Sequence, residues 1–371
     1  MNTLEDADLS NLPPGVQDIF ARRGDRSFFQ LPQWFGLIAH CAIGDRPRRI
    51  DIAFDESTHI AMVYTRLQRE VQSFTNLYTC AYDIIGGDAG SGAIGQLARQ
   101  FALAMPPGAK IRLEGIDREG QSFNALLGGF RSAGYVAKPY FAWGTQYECT
   151  DGCTFDHFVA TRPSMLRNTW TRKRTALDKE SRAKFRIYQG GDDVAAYIAA
   201  YEAVHRRSWK DAEPYPHFIP DLVRLAAKCD ALRFGILDID DIAAAAQFWI
   251  VWAGKATVYK LVYADEMSAH SPGTVLTMEM FRRVLEEDHP IEIDFGRGDD
   301  RYKAMWLASR REHWGIEAAS PRTLMGLADS ARIGLGLGRD FLRRTLKNSA
   351  GARSVVDRAM SSLPPRQYVP E

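Results

Sequence analysis

The 371-residue sequence lacks the marks of several protein classes. Its apolar runs, such as 242–251, are shorter than the roughly 20 residues that a membrane-spanning helix needs. Its 47 basic and 46 acidic side chains leave a net charge of +1, so no global positive field attracts nucleic acid. Residues 1–15 contain neither the basic nor the apolar segment of a secretory signal peptide. We therefore expect a cytoplasmic protein without a nucleic-acid partner.

Cysteine is also scarce. The five cysteines are odd in number and scattered, and only Cys149 and Cys153 lie close together, without a second pair that would complete a zinc site. Neither a disulfide framework nor a metal site is expected. The glycine patterns of Walker loops and of dinucleotide-binding turns are missing as well, which gives ATPase and dehydrogenase functions no support.

What the sequence does contain is enough apolar residues, 46% of the chain, for a large core. A chain of this length can bury about three-quarters of its surface, and about 150 residues per domain predicts two domains. We place the first domain at 1–150 and the second at 151–322. The remainder, 323–371, is a basic tail with leucines among its arginines, for which we expect loose packing and only partial helix, because its glycines disfavour a helix.

Both halves alternate between strand and helix patterns. In the second half, a basic helical segment and an amphipathic helix at 194–209 precede three apolar runs at 232–239, 242–252 and 256–263. Short polar turns separate these runs, which is typical of an antiparallel meander. A helix, a strand, a short helix and a last strand follow. The basic segment is either a solvated helix face or a surface that receives phosphates.

The turn Ser271-Pro272-Gly273-Thr274 opens the helix after the meander. Unpaired backbone N–H groups and the positive end of a helix form an anion site, and the glycine allows a ligand to come close. The same four residues also suit an ordinary capped turn.

A second feature is the dense charge in 294–303. Asp294 lies on an apolar strand, where a carboxylate is costly to bury unless it is paired. Two glycines then let the chain turn away, and Asp299, Tyr302 and Lys303 follow at the start of a short helix. This cluster is either a reaction centre or a helix start with acidic caps.

Three features therefore occur in order: the meander, the turn Ser271-Pro272-Gly273-Thr274 with its helix, and the stretch Ile293-Asp294-Phe295-Gly296-x-Gly298-Asp299-x-x-Tyr302-Lys303-x-x-Trp306. Together with His205-x-x-x-Trp209, they resemble the acyltransferase domain of the GNAT superfamily in its FemAB-like branch, also labelled CelD-type or cellulose-biosynthesis-type. The first half is more loosely similar, through Phe28-Phe29-x-x-Pro32-x-Trp34 and Thr75-Asn76-x-Tyr78-Thr79, to the degenerate first domain of such proteins. The resemblance implies an α/β (α+β) fold of two tandem GNAT-like units. Each unit would be a mixed, largely antiparallel twisted sheet flanked by helices, with an acceptor groove between the units.

The resemblance also implies an acyl-CoA co-substrate, acetyl-CoA or another acyl-CoA, and no metal. The residues expected to bind it are Val262, Tyr263, Ser271, Pro272, Gly273, Thr274, Val275 and Leu276. The long helical insertion of Fem-type relatives that use aminoacyl-tRNA has no counterpart in the sequence, which favours acyl-CoA.

The implied reaction is the attack of an amine on a thioester. Backbone N–H groups at 262–265 would polarise the thioester carbonyl. Asp294, or in second place Asp299, would take the proton, Tyr302 would protonate the leaving thiolate, and Lys303 would neutralise developing charge or an acceptor phosphate. The acceptor would contact His205, Trp209, Gln247, Tyr259 and Arg297. His205 and Trp209 could equally be a surface histidine and a core aromatic residue one helical turn apart.

Two classes of function follow from this reading. The first is an acyl-CoA-dependent N-acyltransferase, in particular an N-acetyltransferase, for an amino sugar or an envelope or exopolysaccharide precursor. The second is a non-catalytic GNAT-like module that binds CoA or a glycan, and it is favoured by a phosphate turn with only one glycine, Gly273. The basic tail suggests a peripheral contact with the inner face of a membrane.

Overall fold

The computed structural model describes residues 1–23, 26–41, 49–179, 181–188, 190–191 and 193–348. The strands within these residues are β1 (Asn2–Leu4), β2 (Asp51–Asp55), β3 (Ile60–Leu67), β4 (Glu70–Ser73), β5 (Lys110–Asp117), β6 (Val136–Cys149), β7 (Ala183–Ile187), β8 (Leu232–Ile239), β9 (Ile242–Trp252), β10 (Lys255–Tyr263), β11 (Glu292–Asp294) and β12 (Ser309–Ala319). The α-helices are α1 (Pro14–Arg23), α2 (Pro32–Cys41), α3 (Ser91–Ala104), α4 (Gln121–Ser132), α5 (Phe155–Ala160), α6 (Ser164–Lys179), α7 (Val194–Arg206), α8 (Phe218–Lys228), α9 (Pro272–Arg283), α10 (Arg301–Trp306) and α11 (Leu324–Asn348).

All of these strands form one open mixed sheet in the order β1-β2-β3-β4-β5-β12-β6-β11-β10-β9-β8-β7. The two halves of this order have the same plan. Three antiparallel pairings lead to a parallel pairing, β4 with β5 in one half and β10 with β11 in the other. A helix, α3 or α9, makes the crossover that a parallel pair requires. The predicted fold class, a mixed α/β fold of two GNAT-like units, is confirmed.

The two units exchange their last strands. β6 follows the first unit in sequence but pairs with β11 of the second unit, whereas β12 ends the second unit and pairs with β5 of the first. β6 and β12 also pair with each other over Val136–Tyr147 and Ser309–Ala319, the most extensive ladder of the sheet. The proposed boundary at residue 150 therefore separates β6 from both strands with which it pairs, β11 and β12, and the domain division stays a prediction.

Apolar layers cover the sheet on both sides. One core lies under α3 and α4, and another lies under α9, where Trp249, Phe281 and Trp306 are fully buried. A third, more aromatic core joins α1 and α2 of the first unit to α7 and α8 of the second. Because this third core is shared, the two units pack as one body around the second unit's meander.

One detail of the predicted elements is wrong. The helix predicted at 194–209 ends at Arg206, because the Ser208 hydroxyl donates to the His205 carbonyl and accepts the Lys210 N–H, which turns the chain. In the predicted tail, residues 324–348 form the helix α11; Asp329 bonds Arg69, and the Ser330 hydroxyl donates to the Ala319 carbonyl. The last part of the predicted tail, 349–371, lies outside the described residues.

No helix formed by the described residues has the length and apolarity needed to cross a bilayer.

Candidate active site

A wedge opens in the sheet between β10 and β11. The two strands pair in parallel only where Lys255–Thr257 face Glu292–Asp294. Beyond that point β10 continues to Tyr263 along β9, with a bulge between Val258 and Lys260, while the chain after β11 turns away. The far part of β10 therefore has one edge without a neighbouring strand.

A pocket of about 610 Å³ fills this wedge in front of the N-terminus of α9. It is lined by Ser208, Trp209, Lys210, Val258, Tyr259, Lys260, Leu261, Tyr263, Ser268, Ser271, Pro272, Gly273, Thr274, Phe295, Asp300, Tyr302 and Lys303. We call it the wedge pocket. It unites the predicted phosphate turn with the predicted charged cluster, although about 30 residues separate the two in sequence.

The start of α9 is open to a ligand. Ser271 adopts a left-handed conformation with φ of 50°, and its side chain does not cap the helix. The first N–H groups of a helix have no intrahelical partner, so they point toward the pocket. Gly273 faces β10, where an added Cβ would lie only 3.3 Å from Tyr263 Cδ1. Of the other residues predicted to bind the co-substrate, Val262, Val275 and Leu276 have buried side chains that do not line the pocket.

Lys303 holds the loop at 295–298, which closes the other side of the wedge. Its Nζ donates to three backbone carbonyls, those of Phe295 at 2.9 Å, Arg297 at 2.6 Å and Gly298 at 3.2 Å. Burial lowers the pKa of this ammonium group, and nearby carboxylates partly oppose the change. With three acceptors at hydrogen-bond distance, the charge of Lys303 is directed first at the loop.

Tyr302 presents a phenol that has no partner. Its hydroxyl is buried and makes no hydrogen bond to the described residues; Thr277 and Trp306 lie beside it, but neither meets it with hydrogen-bond geometry. Burial raises the pKa of Tyr302 to about 12, although the Thr277 and Trp306 groups act in the opposite direction. The phenol is therefore protonated at neutral pH, and Tyr302 belongs to the lining of the wedge pocket.

The two carboxylates predicted as bases lie outside the wedge pocket. Asp294 accepts the Gly296 N–H at 2.7 Å and lies 3.9 Å from Lys255 Nζ. Asp299 forms an ion pair with Arg310 at 2.6 Å. Among the described residues that line the pocket, the carboxylate comes instead from Asp300, and it accepts the N–H groups of Tyr302 and Lys303 as the cap of α10.

A group of charged side chains that the sequence analysis did not single out forms one wall. Lys210 Nζ donates to the Leu261 carbonyl at 2.6 Å. Lys260 Nζ bonds Glu213 at 2.6 Å, and the same carboxylate accepts the Tyr78 hydroxyl at 2.8 Å. These residues are isolated lysines and a glutamate in sequence, and only the fold brings them together.

The five residues predicted to bind the acceptor separate in space. Trp209 and Tyr259 line the wedge pocket. Trp209 is 66% exposed at its mouth, and the Tyr259 hydroxyl donates to the Tyr78 carbonyl at 2.8 Å. His205 lines a different pocket of about 280 Å³ between α7 and α8. Gln247 is fully buried, and its amide finds no partner in the described part of the chain. Arg297 points away from the wedge and lies 4.1 Å over the Trp143 ring.

The first unit contributes to the site, but within the described residues its own sheet does not open at the corresponding place. Its segment at 76–80 approaches the wedge: Tyr78 meets Glu213, and Cys80 lies against Gly296. In the first unit's own sheet the corresponding gap is filled, because Ile85 bridges to Ala61 of β3 and the Tyr82 N–H donates to Gly115 of β5. Within the described residues, the sheet therefore opens between β10 and β11 of the second unit.

Comparison with known families agrees with this location. Residues 164–304 match the acetyltransferase (GNAT) domain. This match lies within the second unit, which is therefore similar to GNAT acetyltransferase domains, and GNAT domains use acyl-CoA as co-substrate. No curated protein matches this sequence. Within the described residues, no group of three or more His, Cys, Asp or Glu side chains is placed to hold a metal ion.

Solved structures with the same fold cover both units. FemX is 9% identical, with a TM-score of 0.51 over 84% of this chain and 97% of that chain. L-PGS from Bacillus licheniformis is 11% identical, with a TM-score of 0.50 over 87% and 97%. The C-terminal domain (DUF2156) of a candidate lysylphosphatidylglycerol synthetase from Agrobacterium fabrum is 13% identical, with a TM-score of 0.50 over 86% and 94%. At these identities the likeness concerns the fold alone.

Proposed function

We propose that this protein is an acyl-CoA-dependent N-acyltransferase of the FemAB-like, CelD-type branch, and that its acceptor is an amine of an amino sugar or of an envelope or exopolysaccharide precursor. The observation that carries the proposal is the wedge pocket. It joins an open helix N-terminus, an unpaired strand edge and an unpartnered phenol in one cavity.

Each part of the pocket suits one part of an acyl-CoA molecule. The free N–H groups and positive end of α9 suit the pyrophosphate, and Gly273 leaves room for its approach. The unpaired edge of β10 offers backbone groups to the amides of the pantetheine arm. The thioester would then lie near Leu261, between the backbone of 262–265 and Tyr302.

The chemistry follows from that placement. Of the N–H groups at 262–265, those of Ala264 and Asp265 already donate to the Ala244 and Arg207 carbonyls, so an N–H earlier on the free edge of β10 would stabilise the negative charge that develops on the thioester oxygen. The Tyr302 phenol, kept protonated by its burial, donates its proton to the departing thiolate. Trp209, exposed at the pocket mouth, offers a flat apolar face on which a sugar ring could stack, which supports a carbohydrate acceptor.

Binding of the donor is tested by thermal unfolding. A ligand that binds only the folded state at a hundred times its Kd stabilises that state by about 2.7 kcal/mol. With an unfolding entropy of about 0.8 kcal/mol/K for 371 residues, the Tm should rise by about 3.5 °C with acetyl-CoA or a longer acyl-CoA. No shift at millimolar concentrations of any acyl-CoA would contradict the proposal.

Transfer separates the enzyme from the non-catalytic alternative. Release of free CoA thiol is measured with acetyl-CoA and a set of amino sugars, with the corresponding N-acetylated sugars as matched controls. An amine-dependent release supports the acyltransferase. Donor binding without release for any amine would favour the module that only binds CoA or a glycan. Contact of the basic tail with a membrane remains a prediction.

A further inference from the structure

Amide formation requires that a proton leave the attacking amine, and the carboxylates expected to take it are occupied elsewhere. Asp294 bonds the Gly296 N–H, and Asp299 is paired with Arg310. Asp300 lines the pocket but caps α10 through two backbone N–H groups. The group that receives the proton must therefore be sought among the other side chains of the wedge pocket.

Two of the three lysines in the pocket wall are committed to several partners. Lys303 directs its ammonium at three carbonyls. Lys260 is ion-paired with Glu213, and its charge also lies 5.4 Å over the Tyr78 ring. Lys210 has no comparable carboxylate partner among the described residues. Its ammonium group donates a hydrogen bond to the carbonyl of Leu261, in the part of β10 that β11 does not reach.

The position of Lys210 is fixed by the turn that ends α7. Its N–H donates to the Ser208 hydroxyl, and the preceding Arg207 is tied to the end of β10 through the Asp265 N–H and to Glu266. A neutral amine at this position could still donate one proton to Leu261 O and would hold its lone pair toward the cavity. Few rotamers remain for a side chain held at both ends in this way.

We propose that Lys210 is the general base of the transfer reaction, and that it removes the proton from the acceptor ammonium beside the free edge of β10. This inference rests on the proposed function. It adds a catalytic residue that lies about 85 to 90 residues before the charged cluster predicted from the sequence.

The charges around Lys210 favour its neutral form. Burial is the largest effect and Lys260 adds repulsion, so the pKa of Lys210 falls to about 8. Lys303 acts in the same direction, whereas Glu213 and Asp300 oppose it. Glu213 is neutralised largely by Lys260, and Asp300 by the backbone of α10. A substantial share of Lys210 is therefore neutral near physiological pH, as a base requires.

The step balances as follows. Neutral Lys210 takes one proton from the acceptor ammonium, and the freed amine nitrogen forms a bond to the thioester carbon. The C–S bond then breaks, the second nitrogen proton is lost, and Tyr302 supplies a proton to the thiolate and is reprotonated by the proton that the nitrogen gives up. Lys210 releases its proton to solvent, so the products are the amide, CoA thiol and one proton.

Mutation of Lys210 tests the assignment through the pH profile. With acetyl-CoA and an amino sugar as substrates, Lys210→Met should lower kcat at least a hundredfold. It should also abolish the rise of kcat with pH that has an apparent pKa of about 8 in the wild type. Lys210→Arg keeps a positive charge and a donor for Leu261 but cannot lose its proton, so it should be as inactive. The Kd for acetyl-CoA should change less than threefold. Lys228→Met, at an exposed lysine of α8, is the matched control and should behave as wild type.

Two further readouts distinguish a base from a merely structural lysine. Added ethylamine should restore part of the activity of Lys210→Ala but not that of Lys303→Met. The pH profile of kcat should also be measured with an acceptor amine of different basicity. The apparent pKa that belongs to the acceptor should then change, whereas the apparent pKa that belongs to Lys210 should stay the same. Activity of Lys210→Arg within fivefold of wild type, or a wild-type pH limb in Lys210→Met, would overturn the proposal.

A measurement without an acceptor keeps this inference separate from the proposed function. Trace acetylation of the full chain with acetic anhydride from pH 6 to 11, read for each lysine by mass spectrometry, reports when each amine becomes neutral. Lys210 should become reactive near pH 8, well below the range of an ordinary lysine side chain. If it titrates near 10.4, as an ordinary lysine does, the base assignment fails whatever the donor proves to be. If it titrates near 8 but no acyl-CoA binds or reacts, the proposed function fails and the catalytic role fails with it.

Discussion

Lys303 provides the sharpest test of how the wedge is held open. Lys303→Met keeps the length and the apolar stem of the side chain and removes the ammonium group. Three carbonyls, those of Phe295, Arg297 and Gly298, then lose a charged donor at 2.9, 2.6 and 3.2 Å. If the charge acts mainly on this loop, the variant should be less stable; if it acts mainly on the transition state, stability should change little.

The expected loss can be worked out from these contacts. A hydrogen bond to a charged group contributes about 1.5 kcal/mol at the lower end, so three contribute about 4.5 kcal/mol. Removing the ammonium also removes the cost of burying a polar group, and on the scale found for buried polar groups in mutational data this offsets about 1–2 kcal/mol. The net destabilisation is about 3 kcal/mol. At an unfolding entropy of about 0.8 kcal/mol/K, the Tm should fall by about 4 °C.

The assay is a thermal melt of the two variants beside wild type. Lys228→Met is again the control, since a surface substitution usually stays within about 0.5 kcal/mol, or less than 1 °C here. Single-turnover transfer on the same samples shows whether the loop matters for chemistry. If the Lys303→Met protein melts within 1 °C of wild type, the ammonium group does not hold the loop. If such a protein also loses most of its turnover, Lys303 instead neutralises charge that develops in the reaction, as the sequence analysis predicted.

Three other substitutions probe the rest of the site. Gly273→Val should weaken acyl-CoA binding at least tenfold, as read by ligand titration, because its first added carbon already meets Tyr263 at 3.3 Å; unchanged affinity would move the phosphates away from α9. Tyr302→Phe removes a buried hydroxyl without a partner, so the Tm should not fall, while kcat should drop tenfold or more if the phenol is the acid. For Glu292, burial opposes ionisation but Arg311 and a lysine outweigh it and lower the pKa to about 2. Its stabilising effect is complete above about pH 4.5 and disappears as the pH falls toward 2, so the Tm difference between wild type and Glu292→Gln should shrink from pH 6 to pH 2.5. A constant difference would contradict that assignment.

Much of the second unit could be predicted because its signals are local. The apolar runs of β8, β9 and β10 are separated by two-residue polar turns, so their pairing follows from adjacent sequence. The short β4 and β7 were not predicted, because four or five residues of mixed polarity carry little periodicity. The helix end at Arg206 depended on a serine hydroxyl that bonds backward, which a stripe of apolar residues does not reveal.

The residues of the candidate site also differ in whether local sequence could predict them. The turn at 271–274 and the cluster at 294–303 each carry their residues within a few positions, and the fold brings both to one pocket. Lys210, Glu213 and Lys260 come from a loop and a strand about 50 residues apart, and in sequence each resembles a solvated surface charge. The proposed roles of these three side chains depend on their burial and on the charges of the other two, and only the tertiary fold creates both conditions. Arg297 shows the reverse case, since its place in the predicted cluster did not direct its side chain into the pocket.

The exchange of last strands predicts that the second unit's pocket depends on the first unit, although the corresponding gap in the described part of the first unit is filled. The loop that Lys303 holds from one side is held from the other by β6: the Phe295 N–H donates to Gln146 and the Gly298 N–H donates to Gly144, both at 2.9 Å. β6 precedes residue 150, so a chain that begins after it would lose the partner of both β11 and β12. The backbone of the second unit would then have two new strand edges exposed to water, next to the reaction pocket. The shape of the wedge thus depends partly on the first half of the sequence, because β6 holds the loop at 295–298 and pairs with both β11 and β12.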